Sequence, residues 1–188
     1  MSASIEIVGI NQGKLLESLP EDFIAVKEKY LGSPENITVE ELTSIYDALF
    51  FESPDQPESG FSLLFENWTN RTSFLLAQMM GYYFRNFDWK NDIQLEKYEY
   101  NYLLNRNQAL GLADWYLALA LTSRNEEQDN MPYRKEARYI IDDYYKATAG
   151  DKYDEYIEFW DFYKEQFDNL ISRVQEGNFD YYFYSYFS

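Results

Sequence analysis

The chain contains no cysteine and no histidine. The first absence removes disulfides and thiolate nucleophiles; the two together remove zinc sites of the usual Cys/His kind and every Ser-His or Cys-His catalytic pair. A thiol-free chain also fits a reducing compartment. Proline and glycine are scarce, 5 and 8 in 188 residues, so each reads as punctuation between elements. Long apolar runs are missing too. The most apolar window, Thr72 to Phe84, falls well short of the ~20 residues a bilayer demands and gives way to Arg85, which predicts a buried core helix and no membrane span. The stretch Ile5-Glu6-Ile7-Val8-Gly9-Ile10 lacks a basic flank and is interrupted by Glu6, so it does not read as a secretory signal. A cytoplasmic protein is the expectation.

Basic residues are outnumbered, 16 against 33 acidic, for a formal charge of −17, and the excess runs through both halves of the chain. Such a field repels nucleic acid and anionic membranes and steers the protein toward basic partners; its simplest other use is solubility. What the chain has in excess is aromatic: 19 tyrosines and 14 phenylalanines.

At 188 residues and 46% hydrophobic, the chain is the size of one domain, 1–188, able to bury roughly two thirds of its unfolded surface. Ser18-Leu19-Pro20-Glu21 has the pattern of a capping box and predicts a helix through Tyr30 that stops at Gly32; Thr38-Val39-Glu40-Glu41 predicts another to about Phe51. A loop at 52–60 carries Pro54, Pro57 and Gly60. Two segments apolar on nearly every side, Thr72 to Phe87 and Ala109 to Leu121, are placed against each other at the centre, the second as part of one long helix from about Asp92. Pro132 opens a further helix ending at Gly150, and Asp151 to Glu176 is the most regular of all, with Gly177 as its stop. The fold class expected is all-α: a compact single-domain bundle of about six or seven helices, followed by an aromatic tail at 178–188. Only Ile5 to Ile10 and the last ten residues could be strands.

The segment Tyr30-Leu31-Gly32-Ser33-Pro34-Glu35-Asn36-Ile37-Thr38-Val39-Glu40-Glu41-Leu42-Thr43-Ser44-Ile45-Tyr46 resembles a stretch of an uncharacterised bacterial family. Where that family ends in Leu-Tyr-Tyr-Gly, this chain has Ile45-Tyr46-Asp47-Ala48. The resemblance implies a helical, tetratricopeptide-like arrangement, an α-α superhelix, and brings no active site with it.

Asp154, Glu158, Asp161, Glu165 and Asp168 recur at steps of four and three, lining one side of the last helix with carboxylates. The stripe is either a solvated face or a docking strip for lysine and arginine. Tyr181, Tyr182, Tyr184 and Tyr186 crowd the C-terminal end, either as interface anchors or as cover for the bundle. Glu96/Glu99 and Glu158/Asp161 have the spacing of magnesium-binding pairs in helical phosphohydrolases, yet no phosphate-gripping basic cluster accompanies them. Asp114 is the only charge between Ala109 and Leu121 and calls for a partner such as Arg71, Arg106 or a tyrosine. No enzyme, metal or cofactor is expected. The leading functional expectation is an acidic inhibitor of the immunity or antitoxin kind that neutralises a basic protein partner, with no nucleic acid or membrane involved; next stands a helical scaffold or adaptor binding a peptide in an aromatic groove, and last a metal-dependent phosphohydrolase.

Overall fold

The computed structural model describes residues 4–68, 70–88, 96–145 and 153–187, and within them the side chains at 70–72, 74, 88, 144–145, 153–159 and 187 lie outside the description. Ile5, Ile7, Val8 and Ile10 are β-branched and favour pleated backbone. They form β1 (Ser4–Ile10), flanked antiparallel by β2 (Phe61–Asn67) on one side and β5 (Tyr181–Phe187) on the other. Beyond β5 come β4 (Asn101–Leu104) and β3 (Glu96–Tyr98), completing a five-stranded antiparallel sheet in the order β2-β1-β5-β4-β3.

The expected all-α bundle is therefore wrong, and the α-α superhelix with it. Helices cover both faces of the sheet, so its two central strands are buried on both sides and read as continuous apolar runs, a pattern that periodicity cannot tell from a buried helix. The aromatic tail is likewise the strand at the middle of the sheet.

One face carries α1 (Gln12–Ser18), a 3-10 turn at Glu21–Phe23, α2 (Ile24–Tyr30) and α3 (Val39–Leu49). The other carries α4 (Asn70–Tyr83), α5 (Arg106–Ser123), α6 (Arg134–Arg138) and α7 (Tyr153–Glu176), with π-helical turns at Phe84–Asp88 and Tyr139–Tyr145 extending α4 and α6. No helix among the described residues is long and apolar enough to cross a membrane.

Several starts differ from the sequence pattern. Ser18 caps nothing: it closes α1, its hydroxyl donating to Leu15 O at 2.9 Å, and Asn11 caps that helix instead. Thr38 does cap α3, accepting from Glu41 N–H. The helix expected from Asp92, a residue outside the description, begins only at Arg106. There Asn105 and Gln108 exchange hydrogen bonds in a capping box, each at 2.9 Å. What precedes it is the β3–β4 hairpin, turning through Glu99 and Tyr100 with Glu99 at φ 53°. Tyr133 rather than Pro132 stands at the start of α6.

Alternation along the strands sorts the side chains into two cores. Ile5 and Ile7 of β1 and Tyr182 and Tyr184 of β5 face α4, α5 and α7, meeting Leu112, Tyr116, Trp160 and Phe167. Val8, Ile10, Tyr181 and Phe183 face α1–α3, meeting Leu15, Leu42, Ile45 and Tyr46. A bulge in β2 opposite Ile7/Val8 lets Leu64 and Phe65 both enter the larger core. α5 packs chiefly along α7, while α4 is tied to it by Trp115 Nε1–H to Met79 O at 3.0 Å and by Tyr116 O–H to Leu76 O at 2.8 Å. Gly9 leaves room for the Phe179 ring, which a Cβ would meet at 2.6 Å.

Both sheet edges are blunted. The 52–60 loop returns along β2, where Gln56 and Phe61 exchange backbone hydrogen bonds at 2.8 and 3.2 Å and Leu63 N–H donates to Asp55 Oδ1 at 3.1 Å. The opposite edge, β3, is 3 residues long and presents Glu96 and Lys97 to solvent. Phe183 has no solvent exposure and a helical layer over it. Phe183→Ala is expected to lower the unfolding free energy by about 3–5 kcal/mol, read from the urea midpoint at unchanged slope.

Candidate interaction groove between β2 and α7

The amphipathic pattern of α7 buries Trp160, Phe167, Leu170 and Val174 and leaves the opposite side to solvent. Of the predicted carboxylate stripe, the Asp154 and Glu158 side chains lie outside the description. Asp161 is bound to Arg124 at 2.7 Å, and Arg124 and Lys164 both reach Glu126, at 3.5 and 2.5 Å. This surface network pins the segment after α5 onto α7. Glu165 and Asp168 stand exposed and form no ion pair among the described residues.

Along the side of α7 next to the stripe, Phe162, Gln166, Asn169 and Arg173 follow one another at steps of four, three and four. The last three, with Ser172, Leu64, Phe65 and Glu66, line a groove of about 480 Å³ between α7 and the edge of β2. Phe162 stands one turn before Gln166 and is 68% exposed, its ring edge-on to Tyr163 at 5.0 Å. Tyr163 in turn donates to Asn67 Oδ1 at 2.6 Å, fastening α7 to the end of β2. Gln166 Oε1 is shielded from solvent and has no hydrogen-bond partner among the described residues.

The C-terminal tyrosines lie elsewhere. Tyr181, Tyr182 and Tyr184 are buried in β5, with Tyr181 O–H donating to Gln12 Oε1 at 2.7 Å and Tyr182 O–H to Val174 O at 3.3 Å. Burial pushes the phenols of Tyr116 and Tyr184 well above their ordinary value. Tyr186 is half-buried against Tyr100.

A second constellation centres on Glu6, which sequence inspection noted only as an interruption. Glu6 sits fully buried on the α3 side of β1 and accepts a hydrogen bond from Tyr46 O–H through Oε2, while Oε1 has no partner among the described residues. In register with it stand Glu66 on β2 and Ser185 on β5. The row continues through Ser185 Oγ–H to Asn101 Oδ1 at 2.7 Å and Asn101 Nδ2–H to Thr43 Oγ1 at 3.1 Å. Burial pushes the Glu6 carboxyl up to about 7, the Tyr46 hydrogen bond opposes the shift and Glu66 adds to it. The signal available in the sequence was a lone carboxylate inside Ile5–Ile10.

Other chemistry stays apart. Glu96 and Glu99 lie on the hairpin and not one turn apart on a helix, and among the described residues no three acidic side chains come close enough to hold a metal ion. Asp114 is half-buried, with its carboxyl raised by desolvation, while Arg106 donates to Gln175 O instead. A pocket of about 510 Å³ at α6 contains Arg134 and Arg138, already paired with Asp129 and with Asp142 and Glu127. No protein-family model, curated protein or solved structure matches the chain.

The Arg124–Asp161 pair is about two-fifths exposed on each side, so solvent screens it. A double-mutant cycle with Arg124→Gln and Asp161→Asn is expected to give a coupling of about 0.5 kcal/mol that vanishes in molar salt.

Proposed function

We propose that this protein is an acidic binding protein that captures a basic protein partner along the β2–α7 groove, as an inhibitor of the immunity or antitoxin kind. The observation that carries the proposal is Phe162: a phenylalanine exposed to 68%, set on α7 between Asp161 and Glu165 and one turn before the groove-lining Gln166. An exposed aromatic ringed by charge has the anatomy of an interface anchor, an apolar contact that becomes fully desolvated inside a polar rim. Glu165 and Asp168, exposed and without an ion pair among the described residues, supply carboxylates on the same helix. The overall charge of −17 steers such a partner toward the surface before contact.

The scaffold reading required a channel lined with aromatic side chains. It has less support, because Tyr181, Tyr182 and Tyr184 are consumed by the two cores and the groove's described lining includes one aromatic side chain, Phe65.

The test is a pull-down from the source organism's lysate at low and moderate salt, followed by titration of the partner so identified. Phe162→Ala is expected to weaken binding by about 2 kcal/mol or more, roughly 30-fold, chiefly through faster dissociation. Glu165→Lys with Asp168→Lys should slow association and flatten its salt dependence. Retention of full affinity by both variants would exclude this face as the docking surface.

A further inference from the structure

We propose that Glu6 is a proton-controlled latch: buried and neutral beneath Tyr46, it lets α3 and its layer seat against the centre of the sheet, and its ionisation loosens them. Glu6 occupies a central strand with no exposure, and the only hydrogen bond between its carboxyl and the described residues is the one from Tyr46 on α3. The groups that act on its carboxyl are phenolic or acidic, Tyr46 and Glu66, while Lys97 of β3 lies over the Tyr102 ring. β2 contributes Glu66 directly across the ladder, already accepting from Trp68 Nε1–H at 2.8 Å. α3 contributes Tyr46 and the adjacent Asp47, whose own carboxyl is raised by burial and by Glu99 of the β3–β4 hairpin. β5 and β4 offer only Ser185 and Asn101, which bond to each other and onward to Thr43. None of Glu6, Glu66, Asp47 and Glu99 pairs with a lysine or arginine among the described residues.

Loss of the Glu6 proton to solvent would thus create a buried anion with one phenol donor, an orphan oxygen and a like charge opposite. The chain has no histidine, and among the described residues the carboxyls that burial raises are those of Glu6, Asp47 and Asp114. A carboxyl raised from 4.5 to about 7 in the fold binds its proton more tightly folded than unfolded, so its contribution to stability is present below pH 4.5 and declines as pH rises to about 7. The larger core, on the far side of the sheet, is not part of the contact.

The measurement is the melting temperature of the full chain from pH 5 to pH 8, with the Glu6 side-chain carboxyl carbon followed by NMR. The melting temperature is expected to fall by on the order of 5–10 °C across that interval, with the Glu6 resonance titrating near neutrality. Glu6→Gln should abolish the slope. Glu66→Gln should move the transition to lower pH and Tyr46→Phe to higher pH, opposite shifts that a merely structural contact would not produce; Asp47→Asn and Asp114→Asn should leave a Glu6 transition in place. An unaltered slope in Glu6→Gln, or a Glu6 resonance titrating at the ordinary carboxylate value, would overturn the latch.

Discussion

The β1–β5 ladder is the interaction on which the rest of the molecule hangs. Seven residue pairs, from Ser4 with Phe187 to Ile10 with Tyr181, join the two strands at the middle of the sheet. Because alternate residues point to opposite faces, the same ladder lays down the floor of both cores: Ile5, Ile7, Tyr182 and Tyr184 beneath α4, α5 and α7, and Val8, Ile10, Tyr181 and Phe183 beneath α1–α3. A one-residue slip would exchange those sets and drive Glu6 and Ser185 toward Trp160 and Phe167, so the aromatic packing on each side enforces the register.

The abundance of tyrosine follows from that arrangement. A tyrosine fills core volume as phenylalanine does but requires a partner for its hydroxyl, and here the hydroxyls join neighbouring elements: Tyr116 to the backbone of α4, Tyr182 to α7, Tyr181 to Gln12 and Tyr30 to Glu41 at 2.5 Å. Glu41 is a convergence point, where hydrogen bonds from Tyr30, Lys29 and Thr38 outweigh the opposing effect of burial and hold the carboxyl down at about 2. Tyrosine density is thus largely an architectural property, and the exposed side of α7 owes its character to carboxylates and one phenylalanine.

Helices governed by contacts within three or four residues were legible from the sequence: α3 from Thr38 and Glu41, α4 from its apolar run, and α7 from the spacing of Trp160, Phe167, Leu170 and Val174 up to Gly177. The sheet was not, because its pairings are remote in sequence and its central strands carry no polar alternation. Ile5–Ile10 and the tyrosine run at the end each look ambiguous alone; only their mutual pairing makes them strands. The hairpin at β3–β4 reads as part of a helix because its four-residue strand abuts α5 with nothing but the cap residue Asn105 between them. Among the proposed contact residues, the acidic stripe was visible as spacing, yet its division into Asp161, tied to Arg124, and the free Glu165 and Asp168 depends on the segment after α5. Phe162 was hidden by a helix rich in aromatics, since exposure cannot be read from residue type.

The placement of β1 and β5 also sets the order in which the fold can be completed. The first of these strands leaves the ribosome about 170 residues before the second, and until β5 arrives β1 has β2 alone for a neighbour, with one edge open and half of each core without a floor. Helices α3, α5 and α7 can form early from local contacts, but closing the sheet entails a loop of nearly the whole chain and the slow search that long-range antiparallel pairing implies. In that interval the β5-facing edge of β1 stands unpaired, an edge of the kind at which nascent chains associate, and the like charge of a −17 polypeptide opposes such association.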